Sequence, residues 1–546
     1  MGSWLILMLL LSFITLWQMT SLFTYYQSIE PVPGGIYNEG ILGTLTNVNP
    51  IYATSLVDTS LSQLIFAGLL SYNNNNQLVN CLASGYSVDP AGTLYTVVLK
   101  PGLTWQDGQP LTAADVVFTI DTIQNPAAQS PLYSSWQGIT ATAVNSLTVR
   151  FKLPNPLASF PYELTLGIIP KHILGGINPA NLRSANFNTL NPIGAGPFAW
   201  NGIEVSGNTP QNAAEQIALL PFGNYVLGKP KLNEFIVHAY ADRHQLIQAF
   251  VSAQLNALAG LNTVPPALKH SQGITIHSLI LTAGNYVFFK TQGDILSDAN
   301  LRRALVLAAN PKTIMARLGY QTYPVTEPLL VGQLAYSSKY AQVTNDLTLA
   351  KSVLNQDGWI RGRGGYRYKN GQQLSFNLVT TTTPENYLVV SILKKQWRAV
   401  GVNLQPIFES AETYSATLQS HSYDSTLEGI SIGVDPDVFV YWDSSQYDPR
   451  STGLNLSEYN NATADSALDQ GRTRLNPALR VIKYAPFLAV WQQDNPALGL
   501  YQPRFIYITR GTVYGLGNHE INSAPNRFNN VQNWEILRAG VTDKRP

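Results

Sequence analysis

Cysteine is almost absent: Cys81 is the only one in 546 residues. No internal disulfide can form, and Cys-ligated zinc and iron–sulfur centres are excluded. A buried structural thiol is the expectation. Charge is scarce too. Asp, Glu, Lys and Arg make up 12% of the chain, with a net charge of +1, against about 25% charged residues in an average domain. No global field exists to gather nucleic acid or an anionic membrane surface, so no nucleic-acid partner is expected. The seven histidines (His172, His238, His244, His270, His277, His421 and His519) form neither H-x-H nor H-E-x-x-H, which leaves no local metal motif. There is no P-loop and no dinucleotide fingerprint, and no cofactor is called for.

Apolar residues make up 45% of the chain, and 10 Trp, 28 Tyr and 19 Phe are spread along it. That composition buries a large core and argues against disorder. At a prior of ~150 residues per domain, the length suggests roughly three or four units. The N-terminus carries targeting information. "WLILMLLLSFITLWQMTSLFTYY", Trp4 to Tyr26, is uncharged, and the first charge is Glu30. As a helix it would span about 34 Å, enough for a bilayer. A cleaved signal peptide competes with this reading, but no Lys or Arg precedes the run and no A-x-A site follows. A lipoprotein would need a cysteine just after it. An uncleaved transmembrane anchor is therefore favoured. Either reading places the rest of the chain outside the cytoplasm.

Beyond the "EPVPGG" linker, helical and strand patterns alternate. Asp58 is placed to cap a helix running to about Leu70. Thr112 and Asp115 are spaced as N-cap and N3 before "ADVVFTIDTI". "HQLIQAFVSAQLNAL" reads as a helix with Leu246, Phe250, Leu255 and Leu258 inward. "NYVFFK" reads as a short apolar strand, Asp298 caps the next helix, and Asn370-Gly371 signals a hairpin. The alternation predicts an α/β fold with mostly parallel or mixed sheets.

Gly429-Ile430-Ser431-Ile432-Gly433 matches G-x-S-x-G, the nucleophile elbow of α/β-hydrolases. An elbow needs a helix directly after the serine, and Pro436 disfavours one. His519 is the only later histidine available to a triad, and no oxyanion loop is present. Ser391-Ile392-Leu393-Lys394 matches S-x-x-K, but it lies in the middle of an amphipathic helix and no K-T-G follows. "IRGRGGYRY" is basic and aromatic, and reads as a solvated hairpin rather than an RNA contact. With no catalytic constellation, the chain reads as a binding protein and not an enzyme. Its aromatics and neutral amides suit a cleft for a polar ligand.

Several blocks, in order, resemble the extracellular solute-binding proteins of family 5, the dipeptide/oligopeptide/nickel-binding group of ABC importers. "LYTVVLKPGLTWQDGQPLTAADVVFTI" resembles the family's "YTFTLRxGVKFHDGxPLTAxDVVFS". "PIGAGPF" stands where the family has "PVGTGPY", and "YVLGKPKLNEFIVHAYAD" is similar to "YWGGKPKLDxIxFxxxxD". "NYVFFKTQGDILSDANLRRALVLAANPKTI" and "EYNNATADSALDQGR" follow in family order. The resemblance implies a two-lobed, periplasmic-binding-protein-like (Venus flytrap) fold with an extra subdomain. Lobe I would comprise 31–75, 193–282 and 500–546, the extra subdomain 76–192 and lobe II 283–499, after the 1–30 anchor or signal segment. It implies a monomer that binds di- to oligopeptides, or a similar polar solute, and delivers them to an ABC permease. "GISIGVDPDVFVYWDSSQ" looks like the subgroup pattern "GWSLGLDPDPYSIWHSSQ", whose acidic residue pairs with a ligand amine in peptide-binding relatives. By that match Asp435 is the first candidate anchor and Asp437 the second. Tyr286 and Trp442 are candidate lining residues. Ile430, Lys290 and Asp443 depart from the family's Trp, Asn and His. Lys290, if it faces the cleft, favours a carboxylate-bearing ligand. The alternatives are an anchored sensor of the same fold without transport, and a serine hydrolase acting through Ser431.

Overall fold

The computed structural model describes residues 2–25, 27–207, 209, 213–448, 453–517 and 520–542. Gly2–Tyr25 is an α-helix whose side chains are described for residues 4–18 only. Among the described residues no helix is long and apolar enough to cross a membrane. The expected transmembrane anchor therefore has no support in the structure.

Two mixed sheets organise the remainder. A seven-stranded sheet runs Ile274–Ile280, Arg504–Arg510, Ala257–Ala259, Ile36–Leu42, Glu234–Tyr240, Ala214–Pro221, Phe198–Ser206. Its centre, Ile36–Leu42, pairs in parallel with both neighbours. A five-stranded sheet runs Asn403–Glu409, Ser375–Thr381, Ser425–Ser431, Ala283–Phe289, Ala497–Tyr501. A four-stranded antiparallel sheet built from Ala83–Val88 to Thr148–Lys152 shares one core with the first of these. The chain passes between the two large sheets at Leu281–Thr282 and again at Gln502–Pro503. The crossings are tied together: Leu281 N–H donates to the Pro503 carbonyl at 3.0 Å, and Gln502 Nε2 to the Leu281 carbonyl at 3.1 Å. Two lobes joined by paired crossing strands are the architecture of a hinged binding protein.

Ala283–Phe289 is apolar throughout because both its faces are covered. Val287 and Phe289 enter one core of the second lobe, Tyr286 and Phe288 the other, as the two-residue strand period requires. Asp298 caps Ala299–Ala308, accepting from the Asn300 and Leu301 amides. The Thr112 amide donates to Asp115 at 2.8 Å at the start of Ala113–Gln124. Asn370 (φ +52°) and Gly371 (φ +81°) make a two-residue turn between paired Lys369 and Gln372.

Two expected helices are shorter than their patterns. Leu56–Ile65 is capped by Ser55, which accepts from the Asp58 amide. Asp58 does not cap that helix; its carboxylate turns inward and accepts from the Thr46 and Asn47 amides at 2.8 and 3.0 Å. The segment after His244 is helical only over Arg243–Val251. Ala253 at φ +61° turns the chain, so Leu255 and Leu258 reach the core from the following strand region.

Candidate ligand-binding cleft

Three cavities meet end to end between the lobes. The central one, about 670 Å³, is lined by Gly260–Thr263 and Asn522–Ala524 of the first lobe and by Thr383–Asn386 and Leu427–Ser431 of the second. At Ser431, Asn522 and Ser523 it joins a cavity of about 400 Å³ that reaches Tyr72 and Cys81. At Glu385 and Arg504 it joins one of about 540 Å³ that reaches Lys269, His270 and Tyr320. Burial pushes the Cys81 thiol up to about 11, so it lines its cavity as a neutral group.

One wall is an unfinished strand. Ser425–Ser431 pairs with Ala283–Phe289 along its whole length. On its other edge the ladder to Ser375–Thr381 stops at Thr426. The Leu427 carbonyl is taken by the Thr380 and Tyr414 hydroxyls at 3.0 and 2.9 Å. From Glu428 to Ser431 that edge has no partner strand and lies along the cavity; the Glu428 carboxylate accepts from the Gly429 amide, and the Ser431 carbonyl accepts from the Tyr441 hydroxyl at 2.6 Å. Burial raises the Glu428 carboxyl pKa.

Ser431 ends this strand and is exposed in the cleft. The chain then turns back: the Ile432 and Gly433 amides both donate to the Thr282 carbonyl, at 3.0 and 2.9 Å, and Gly433 stands at φ +77°. The next helix begins only at Phe439, so the strand–turn–helix of an elbow is not formed. His519 lies outside the described residues. Among the described residues no group of three or more His, Cys, Asp or Glu is placed to hold a metal.

None of the five residues expected to bind ligand lines these three cavities. Asp435 is buried and held by Arg480, Nη1 to Oδ2 at 2.7 Å and Nη2 to Oδ1 at 2.6 Å. Asp437 accepts from Ser159 of the other lobe at 2.9 Å and pairs with Arg472 at 3.1 Å. Beside it the Ala158 amide donates to the Arg472 carbonyl at 2.9 Å, so the lobes touch directly at this point. Lys290 pairs with Glu458 at 3.4 Å and donates to the His421 carbonyl at 2.9 Å. Trp442 is fully buried against Tyr286, Phe288 and Trp491.

Tyr286 is fully buried as well, and its hydroxyl donates to the Glu327 carbonyl at 3.1 Å. The Glu327 side chain is fully buried too. Its Oε1 accepts from the Ser337 amide at 3.0 Å, and Oε2 has no partner among the described residues. Burial pushes this carboxyl up to about 8. The folded state therefore keeps a proton that the unfolded chain releases near 4.5. Its contribution to stability is complete below that value and is lost as pH rises through about 8. Glu327→Gln is expected to remove this dependence and to exceed the parent by about 1–3 kcal/mol at alkaline pH, where the parent holds an unsatisfied charge. Parallel melting curves between pH 5 and 9 check this, and curves that keep a constant offset would refute it.

The sequence reading passed over Glu385 and Arg504. Glu385 sits in the first turn of Pro384–Ala399 and accepts from the Tyr320 hydroxyl (3.0 and 3.1 Å) and the Tyr501 hydroxyl (2.8 Å). Arg504 opens the strand after the second crossing. Their signal was positional: one follows a helix cap, the other follows a hinge proline.

Two lobes, paired crossings and a cleft walled by a strand edge without a partner strand define a hinged binding-protein fold. The family described as bacterial extracellular solute-binding proteins, family 5 Middle, matches residues 77–450, and the chain belongs to that family. The oligopeptide-binding protein AppA of Bacillus subtilis is 25% identical over 537 residues, 93% of each chain. Its structure with a nonapeptide superposes with a TM-score of 0.74 at 22% identity, covering 93% of this chain and all of that one. NikZ of Campylobacter jejuni, solved with Ni(L-His), gives 0.77 at 23% identity, covering 92% of this chain and 99% of that one. The likeness to solved structures shows the fold. The ligands belong to those proteins.

Proposed function

We propose that this chain binds peptides, from dipeptides to oligopeptides, in the interlobe cleft and delivers them to an ABC permease. The observation that carries the reading is the edge from Glu428 to Ser431, which pairs with no strand on that side and runs along a cavity of about 670 Å³. An extended peptide can add to such an edge as a further strand, its main chain matched by amides and carbonyls whatever its side chains. The smaller cavities at either end give room for chains of different length. The relatives support the choice of ligand: AppA of Bacillus subtilis carries a nonapeptide in its structure, and several curated relatives are named as peptide-binding proteins.

The test is a thermal-shift screen of the full chain against peptides, sugars and metal chelates. A peptide at ~100 times its dissociation constant should add about 2.7 kcal/mol of stability. A shift with a sugar or a chelate and none with any peptide would overturn the assignment.

A further inference from the structure

Charge is scarce in this chain and also unevenly placed. Residues 301–400 hold 13 Lys and Arg against four Asp and Glu, a net of +9 in a chain whose total is +1. Those four acids are occupied. Glu327 is buried, Asp346 caps Leu347–Gln356, Asp357 pairs with Lys369, and Glu385 accepts from two tyrosine hydroxyls. The fold gathers part of the excess onto one surface of the second lobe, around the "IRGRGGYRY" hairpin that ligand binding leaves unused.

The hairpin rests on the C-terminal end of the helix Pro384–Ala399. Arg398 Nη1 donates to the Gly365 carbonyl at 3.0 Å, and Nη2 donates to that of Gly364. A Cβ on Gly365 would stand 3.4 Å from Arg398 Nη1 and 3.7 Å from Arg361 Nη2, so two guanidiniums flank one glycine. Lys394 and Lys395 are exposed one turn earlier, on the helix face that carries Arg398. The Asn310 amide donates to Gln396 Oε1 at 2.9 Å, which brings exposed Lys312, in the first turn of Pro311–Leu318, to the same end of the helix. Arg363 is exposed on the hairpin itself. None of these six cations forms an ion pair among the described residues.

The aromatic rings here are poorly placed to stack on bases. The Arg398 guanidinium covers a face of Tyr366 at 3.9 Å from the ring centroid, and Gly362 packs so close to the Tyr368 ring that a Cβ there would meet Cδ2 at 2.7 Å. Single-stranded nucleic acid depends on such stacking. Ile360, by contrast, is 72% exposed beside Arg361 and Arg363. An apolar side chain among cations fits the boundary of an anionic bilayer, where phosphates meet the charges and the acyl edge takes the apolar group. We propose that this surface docks on an anionic membrane, with lipid headgroup phosphates as the counter-charge of the six cations. The proposal goes beyond the peptide reading and does not depend on it.

The test is hydrogen–deuterium exchange on the full chain, with vesicles of phosphatidylcholine alone or of phosphatidylcholine mixed with phosphatidylglycerol. Residues 359–369 and 391–399 should exchange more slowly with the mixed vesicles and be unchanged with phosphatidylcholine. Contact through the apolar Gly2–Tyr25 helix would not depend on lipid charge, so the comparison isolates the basic surface. The protection should fade between about 0.1 and 1 M salt, as the screening length falls from about 10 to about 3 Å. Lys394→Gln/Lys395→Gln should raise the lipid needed for half-protection of residues 359–369 by about 30-fold, roughly fivefold for each cation near an anionic surface. Equal protection by both vesicle types, or by neither, overturns the proposal. So does protection by a single-stranded oligonucleotide without protection by the mixed vesicles, which would give the surface to nucleic acid. The comparison on the parent needs no variant to fold.

Discussion

Arg527→Met is expected to destabilise the first lobe by about 3–5 kcal/mol, the cost of leaving one member of a buried ion pair unpaired. Arg527 and Glu39 are both fully inaccessible. Nε and Nη2 of the arginine reach Glu39 Oε1 at 3.0 and 2.6 Å, and the Tyr507 hydroxyl donates to Oε2 at 2.7 Å. Nη2 also donates to Ser60 Oγ at 2.9 Å. Removing the guanidinium strands a carboxylate where no water can reach it. The effect should extend to ligand binding. Arg527 Nη1 holds the Ala524 carbonyl at 2.8 Å, and Asn522–Ala524 is a wall of the cleft. Urea unfolding measures the loss as a fall in midpoint at constant slope. The double variant Glu39→Leu/Arg527→Met should recover most of the stability, because apolar replacement of a whole buried pair is often close to neutral. A single-variant loss under ~1 kcal/mol would show that the site is wetter than the structure indicates.

Asp435→Asn should cost a similar amount, about 3–5 kcal/mol, for the same reason with the signs exchanged: Arg480 would stay buried without its counter-charge. The pair is bidentate, and both side chains are almost fully inaccessible. This bears on the ligand. A ligand ammonium bound at Asp435 must compete with a guanidinium that already takes both oxygens. In the double variant Asp435→Leu/Arg480→Met the two roles separate. If the carboxylate serves the fold, stability returns and peptides with free or acetylated N-termini bind as they do to the parent. If it anchors the ligand amine, stability returns but the parent's preference for free amines is lost. We expect the first result. A selective loss of free-amine peptides, read by titration calorimetry, would restore Asp435 as the anchor.

Much of the fold could be read from local pattern. The capping pair Thr112 and Asp115, the Asn370-Gly371 turn, and the apolar strand around Tyr286 all depend on residues within a few positions of each other, and the structure shows each of them. Helix ends were less legible. The left-handed turn at Ala253 carries no sequence signal, since alanine does not favour it. Asp58 has the composition of a cap, and only the placement of Thr46 and Asn47 draws its carboxylate elsewhere.

By itself, the sequence determined the class of protein: an α/β chain with family blocks in order and no serine elbow that Pro436 would allow. Only the tertiary structure decided which charges are spent and which are available. Arg480 lies 45 positions from Asp435, and Arg527 lies 488 from Glu39. Whether a carboxylate is solvated, paired or waiting for ligand depends on what the fold brings within about 3 Å of it, and composition and periodicity carry no record of such distances. For the same reason Lys290 turned out to be paired with Glu458, while Arg504, an unremarked residue after a hinge proline, lines the cleft.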